Sequence, residues 1–312
     1  MRKQLVDKLY ATKMKGKKII VIGGSGDLGQ ALIPKLLSNG FDCVSISRKS
    51  NRNKLVNNIK CDITNFRKLN LVINKFEPDI IIHLAGLTGN IACETNPKKA
   101  FLTNVFGTLN ILKSSIKLKP KIIFISTGEI YGKTKNRVNE NALPKPVNIY
   151  GITKMLAENL ILNYSSDYKT PAIILRLSYC YDENFTKRGF SLMFKKAICG
   201  EKIQVFGGDQ ILDLLHFNDA IHAILKSITY NKTEIFNIGS GETQSLISII
   251  NKLKNIMNKD VNYDLLPYRG FEVKTCKLNI NKARKNLKFN PSIRLDNILR
   301  RMVSKWSENG HK

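Results

Sequence analysis

Apolar residues in the first half of the chain come in short unbroken runs separated by amphipathic stretches. Lys18 to Ile22 is a β-branched run, followed by a glycine-rich turn and a helical pattern from Leu28 to Leu37. Cys43 to Ile46, Ile80 to Leu84 and Ile122 to Ile125 are further runs, the last two separated by a helical segment around Asn104 to Ile116. Wholly apolar strands alternating with helices predict a parallel sheet covered on both faces. From about Pro171 the rhythm loosens. Longer loops are expected between Tyr181 and Phe190 and between Phe206 and Leu214, and a mostly helical tail follows. No internal repeat or low-complexity linker breaks this order, so a second lobe is expected to pack closely on the first.

Composition sets limits. The 312 residues suffice for one large core with a smaller lobe beside it. No apolar run approaches the roughly 20 residues needed to cross a bilayer. Met1 to Lys18 is basic but lacks the apolar core of a secretory signal, so a cytoplasmic protein is expected. Cys43, Cys61, Cys93, Cys180, Cys199 and Cys276 are scattered, with no C-x-x-C and no histidine cluster nearby. That predicts reduced thiols, and neither a metal site nor a disulfide framework. The formal charge of +27 would suit a nucleic-acid partner through counterion release. The lysines, however, are spread along the whole chain among abundant Asn and Ile, a composition that an AT-rich genome writes into any protein. Neither a nucleic acid nor a membrane is expected as partner; the field instead favours anionic, phosphate-bearing small molecules.

Gly23, Gly26 and Gly29 form G-x-x-G-x-x-G directly after the first strand and before the first helix. Such a turn needs positive backbone angles and close approach to a pyrophosphate, and the following helix offers N–H groups and its positive end. A dinucleotide is therefore the expected cofactor. At the end of the second strand, where an Asp would bind the ribose hydroxyls, the chain reads Ser47, Arg48, Lys49. Arg48 can pair with a 2′-phosphate that a carboxylate would repel, which favours NADP over NAD.

Tyr150 and Lys154 stand in Y-x-x-x-K, one helical turn apart and on one face. Upstream, the run IFIST places Thr127 at the carboxyl edge of the sheet, where open α/β sheets bind ligands. A neighbouring ammonium favours the phenolate, so Tyr150 is a candidate general base near neutrality.

These motifs, in this order, resemble the NAD-dependent epimerase/dehydratase family, the extended short-chain dehydrogenases that act on nucleotide sugars. The resemblance runs from about Lys17 to the C-terminus. GGSGDLG, with Gly23, Ser25, Gly26, Asp27, Leu28 and Gly29, looks like the cofactor loop, and Asp62-Ile63 like the adenine-contacting pair. HLAG, with Leu84, Ala85 and Gly86, looks like the nicotinamide-side ribose segment, and NVFGTLNIL matches the helix whose structural Asn is Asn104. STGEIYG, with Ser126 and Thr127, and YGITK match the catalytic strand end and helix. LDLLHFNDA and FNIGSGE resemble two downstream segments of the family.

The resemblance implies a Rossmann-type doubly wound parallel sheet with a smaller C-terminal α/β substrate lobe. Residues 1–16 would be an extension and 17–170 the dinucleotide-binding domain, with returns from 171–180 and 210–240. Residues 181–312 would be mainly the substrate lobe. It also implies a homodimer and NAD or NADP as cofactor. Thr127 would bond the reacting hydroxyl, Tyr150 would move its proton, and Lys154 would hold the ribose and lower the tyrosine pKa. Glu129 matches a Thr-x-Glu pattern in which the acid works at C5 of a 4-keto sugar. Gly128 stands where one dehydratase class has an Asp. On the substrate side, Tyr179 replaces an Asn, Leu212 replaces an Arg, and Thr88 takes the place of a Lys found in some epimerases. Lys187, Arg188 and Arg269 remain as cations for a diphosphate.

Three functions stay open: an epimerase or dehydratase that recycles its cofactor, an NADPH-consuming keto-sugar reductase, and a non-catalytic or RNA-binding relative. The intact Thr127, Tyr150 and Lys154 set weighs against the last. Met14 precedes the first strand almost directly, and Leu5, Val6 and Leu9 form only a short stripe. Removal of residues 1–13 is therefore expected to leave cofactor affinity unchanged and to shift the melting temperature little.

Overall fold

The computed structural model describes residues 16–49 and 56–307. The expectation about residues 1–13 lies outside them.

The four apolar runs form the strands that their pattern predicts: β1 (Lys18–Ile22), β2 (Asp42–Ser47), β4 (Ile80–His83) and β5 (Lys121–Thr127). Two further strands that the pattern did not single out, β3 (Asn57–Lys60) and β6 (Ala172–Leu177), join them. With Glu234–Ile238 they build a seven-stranded parallel sheet in the order Glu234–Ile238, β6, β5, β4, β1, β2, β3. Ile19 to Ile22, Ile80 to Ile82 and Ile173 to Leu175 are buried, as parallel strands with covered faces must be. The chain moves from β1 outward through β2 and β3, then returns to lay β4 on the other side of β1. That reversal is the switch point at which such sheets bind ligands beyond their carboxyl ends. Ile22 there pairs with Ile46 on one side and His83 on the other.

Two compact units are distinguishable: residues up to 127 with 148–176 and 221–236, and residues 128–147 with 177–220 and 237 onward. The first has its core in the sheet and its helices, with Ile20, Ile81, Phe124, Ile161 and Ile174 at its centre. The second has a separate core around Phe194, Val205, Leu253, Leu299 and Met302. Residues 128–147 belong to the second unit because long-range bonds tie them there. Tyr131 Oη donates to Asn237 Oδ1 (2.8 Å), Asn237 Nδ2 donates to the Val138 carbonyl (3.0 Å), and Val138 bridges Leu278.

In the second unit, Tyr179–Tyr181 pairs with Leu214–His216, and Ile203–Phe206 with Tyr263–Leu266. The expected loop from 206 to 214 contains a strand, Ile211–Leu212, paired antiparallel with Gln244–Ser245. Its partner is distant in sequence, so local pattern gives no sign of it. The loop expected after Tyr181 fills residues 182–188 and ends in a helix at Gly189–Ile198. Among the described residues no helix is long and apolar enough to cross a membrane.

Candidate active site

The glycine turn is built for backbone proximity. Gly23 has φ +90°, and a Cβ there would sit 2.7 Å from the Ala85 nitrogen; at Gly29 it would sit 2.6 Å from the Gly24 Cα. The first requirement lays the turn against the segment after β4, and the second lets the helix Asp27–Ser38 start tight on the turn. Gly26 brings that helix no side-chain cap, so its positive end is suited to a diphosphate. Ser25 is held by its carbonyl, which accepts from Gln30 Nε2 (2.8 Å). The residues present fit a dinucleotide: the cradle has the required shape, and Ser126 Oγ, buried at the end of β5, has no protein partner.

Asp62 Oδ1 accepts from the Thr64 nitrogen and hydroxyl (both 2.9 Å), and Asn110 Nδ2 holds the Ile63 carbonyl (2.9 Å). The turn beyond β3 is thus fixed from both sides. At the end of β2, Ser47 Oγ bonds to the Lys49 carbonyl (2.8 Å) and Asn58 Oδ1 (3.1 Å), while Arg48 is exposed. No carboxylate stands at Ser47, the last residue of β2, or at Arg48 and Lys49 after it.

Asn104 sits in a π-helical turn, Phe101–Phe106, of the kind found at functional sites. Its amide is fully used. Oδ1 accepts from the Leu87 nitrogen (2.7 Å), and Nδ2 donates to the Leu87 carbonyl (3.0 Å) and Thr153 Oγ1 (2.9 Å). Asn104 therefore ties the Leu84–Leu87 segment to the helix that carries Tyr150. Thr88, one residue on, is exposed.

That helix spans Ile149–Tyr168 and is capped by Asn148, whose Oδ1 accepts from the Gly151 nitrogen (2.7 Å). Lys154 is buried beneath it. Its Nζ donates to the Ile125 carbonyl on β5, two residues before Thr127, and lies 3.9 Å from the Phe124 ring centroid. Burial pushes its pKa down to about 7, with Glu158 and Cys93 pulling it back up. Its proton is therefore exchangeable near neutrality. Tyr150 is half-buried one turn earlier on the same helix, and Thr127 is buried at the strand end. His83 is kept neutral, burial and then Lys154 lowering its pKa to about 3. Its Nε2 meets Thr108 Oγ1 (3.0 Å), and Thr108 itself donates to the Asn104 carbonyl, so Nε2 carries the proton.

The second unit carries the remaining sequence candidates. Glu129 is buried in the turn after β5. Beside it, a Cβ on Gly128 would meet Leu278 at 3.1 Å and Cys276 Sγ at 3.2 Å, so a larger residue at 128 has no open space. Tyr179 packs edge-on against Phe190 (5.5 Å), and Lys187 and Arg188 are exposed just ahead of the Gly189–Ile198 helix. Arg269 is prearranged: Nε donates to Glu272 Oε1 (2.9 Å), and the guanidinium lies 3.9 Å from the Phe206 ring centroid.

Sequence reading missed several side chains. Glu94 Oε1 accepts the Ile149 N–H (2.7 Å), and Arg176 clasps Glu158 (2.7 Å). Asp213 Oδ1 gathers Ser178 Oγ and the Ser240 nitrogen and hydroxyl. Glu94 and Glu158 stand in no local motif that would single them out, whereas Asp213 and Ser240 lie within LDLLHFNDA and FNIGSGE, where no role was assigned to them. Asp182, Glu183 and His216 also converge with metal-like spacing. His216 Nδ1, however, accepts the Asn218 N–H (3.1 Å), which leaves the ring proton on Nε2 to donate to Glu183 (2.8 Å). Arg301 holds the other Glu183 oxygen, so the group is a hydrogen-bonded knot.

A family model described as the NAD dependent epimerase/dehydratase family matches residues 19–239. A provisional UDP-glucose 4-epimerase of Methanocaldococcus jannaschii is 30% identical, over 94% of this chain and 99% of its own. The UDP-glucose 4-epimerase of Thermotoga maritima, solved with UDP-glucose, has a TM-score of 0.88 at 25% identity, covering 94% of this chain and 99% of that one. The UDP-glucuronic acid 4-epimerase of Bacillus cereus, solved with UDP-glucuronic acid and NAD, has a TM-score of 0.85 at 26% identity with the same coverage.

Proposed function

Because the chain belongs to the NAD dependent epimerase/dehydratase family, we propose that it is a nucleotide-sugar epimerase or dehydratase that oxidises a sugar hydroxyl, at C4. The observation that carries this reading is the Tyr150/Lys154 pair on one helix, with Lys154 drawn onto the carbonyl of Ile125 just before Thr127. Tyr150 takes the hydroxyl proton as general base, Thr127 orients that hydroxyl, and the Lys154 ammonium stabilises the phenolate. The cradle of Gly23, Gly26 and Gly29 would hold the diphosphate of the dinucleotide, with Asp62-Ile63 at the adenine and Leu84 to Gly86 at the second ribose. A bound nicotinamide supplies the hydride acceptor. Arg269, Lys187 and Arg188 are assigned to the substrate diphosphate, and Thr88 and Tyr179 to substrate binding. Glu129 is the acid–base group for any further step at C5.

The substrates named for the relatives support UDP-sugars. The test is incubation of NAD-loaded protein with UDP-glucose and with UDP-glucuronate, followed by chromatography and mass measurement. A new isomer marks an epimerase, and loss of the mass of water or carbon dioxide marks a lyase. No product from either sugar would sink the reading.

A second reading, an NADPH-consuming keto-sugar reductase, is favoured by Arg48 and by Tyr179 in place of an Asn. Cofactor that co-purifies and survives turnover would exclude it.

NADP is the preferred cofactor on the same ground. The Bacillus cereus epimerase named above was solved with NAD, but the exposed Arg48 at the end of β2 supplies a fork for a 2′-phosphate. NADP(H) is expected to bind more tightly than NAD(H) in titrations at physiological salt, and Arg48→Asp to reverse the order. Tighter NAD(H) binding by the unaltered protein would overturn this.

A homodimer is part of the proposal. Leu102 and Phe106, on the turn leading into the Gly107–Ser115 helix, are 43% and 53% exposed, an apolar pair suited to a second copy. Light scattering at micromolar concentration is expected to give a dimer mass, and a monomer mass would contradict it.

A further inference from the structure

The helix Ile149–Tyr168 starts one residue before Tyr150, and its first N–H groups have no partner within the helix. Asn148 satisfies the Gly151 N–H. The Ile149 N–H is taken from outside, by Glu94 Oε1 at 2.7 Å, across 55 residues of chain. Glu94 lies on the short helix Asn90–Thr95, next to Cys93, which acts electrostatically on Lys154 and raises its pKa. The elements packed against the Tyr150 helix also include Pro97–Ala100, Phe101–Phe106, Gly107–Ser115 and β5. Their charged side chains are Lys98, Lys99, Lys113 and Lys121, so Glu94 is the one carboxylate among the described residues of these elements.

We propose that Glu94 is a positioning residue for Tyr150: it anchors the first turn of the Tyr150 helix and places a negative charge at its positive end. The inference rests on Tyr150 being the general base. The anchor restrains the backbone from which the phenol projects, where small displacements reduce the rate strongly. The charge offsets the helix end and the Lys154 ammonium one turn on, both of which favour phenolate. Glu94 therefore keeps Tyr150 protonated to a higher pH than those groups alone would.

Two substitutions separate these effects. Glu94→Gln retains an oxygen that accepts the Ile149 N–H but loses the charge, whereas Glu94→Ala loses both. Tyrosinate absorbance is titrated on NAD-loaded protein and the Tyr150→Phe titration subtracted, which isolates the ionisation of Tyr150 without any substrate. Both Glu94 variants are expected to ionise Tyr150 a few tenths of a pH unit lower than the unaltered protein. Turnover of the accepted UDP-sugar is expected to fall roughly three- to tenfold in Glu94→Ala and to be largely recovered in Glu94→Gln. Ionisation at the unaltered pH in both variants, or full turnover in Glu94→Ala, overturns the proposal. If Tyr150→Phe itself retains turnover, the general-base reading fails instead, and this inference with it.

Discussion

Tyr150→Phe is expected to lower turnover by roughly 10²–10⁴-fold, the range over which a single proton-transfer group acts. The substitution deletes one oxygen and almost no volume from a half-buried ring, so the Ile149–Tyr168 helix keeps its Asn148 cap and its Glu94 anchor. Lys154 keeps its bond to the Ile125 carbonyl, because that contact does not pass through the phenol. Cofactor affinity is therefore expected to stay near that of the unaltered protein, and the loss to fall on turnover. Turnover within twofold of the unaltered protein would remove Tyr150 from the mechanism. A matching loss of cofactor binding would assign the residue to the cofactor site instead.

Arg176→Ala is expected to be the most destabilising single change considered. Arg176, on β6, meets Glu158, on the Tyr150 helix, through three contacts at 2.7, 3.1 and 3.2 Å, and their side chains are 4% and 3% exposed. Removing the guanidinium leaves a carboxylate buried without its cation, which costs about 3–5 kcal/mol. Replacing both partners, as Glu158→Leu with Arg176→Met, is expected to cost less, since neither charge of the pair is stranded, and only the buried Lys154 loses the Glu158 charge near it. Denaturant unfolding of the two variants beside the unaltered protein checks this. A loss below about 1 kcal/mol for Arg176→Ala would mean that water reaches the pair and screens it. Glu158 lies one turn beyond Lys154 on the Ile149–Tyr168 helix, so Arg176→Ala should also disturb activity.

The order of apolar runs was enough to predict the parallel sheet, because a strand buried on both faces must be apolar throughout, and that is a local property. β1, β2, β4 and β5 lie where those runs are. The glycine cradle and the Y-x-x-x-K pair were legible for the same reason. One needs particular backbone angles over seven consecutive residues, and the other needs one helical turn. Resemblance to a known family then supplied roles for side chains such as Asp62 and Glu129 that no local rule distinguishes.

What sequence could not decide is everything that depends on two distant segments meeting. Ile211–Leu212 is a strand only because Gln244–Ser245 lies beside it. Residues 128–147 follow β5 directly, yet their bonds to Asn237 and the Leu278 region place them in the second unit. Glu94 and Glu158 look like ordinary surface acids of a helix, and each gains its meaning from one donor: an N–H 55 residues away for Glu94, and a guanidinium on β6 for Glu158. Asp182, Glu183 and His216 illustrate the same limit in reverse. Their convergence resembles a metal site, and only the Asn218 N–H on His216 Nδ1 and the Arg301 guanidinium on Glu183 give them another use. Backbone pattern is written residue by residue and can be read that way. The partner of a buried charge or an unsatisfied N–H is chosen when the chain closes, because the cost of burying a polar group is met only by whatever the fold brings within about 3 Å of it.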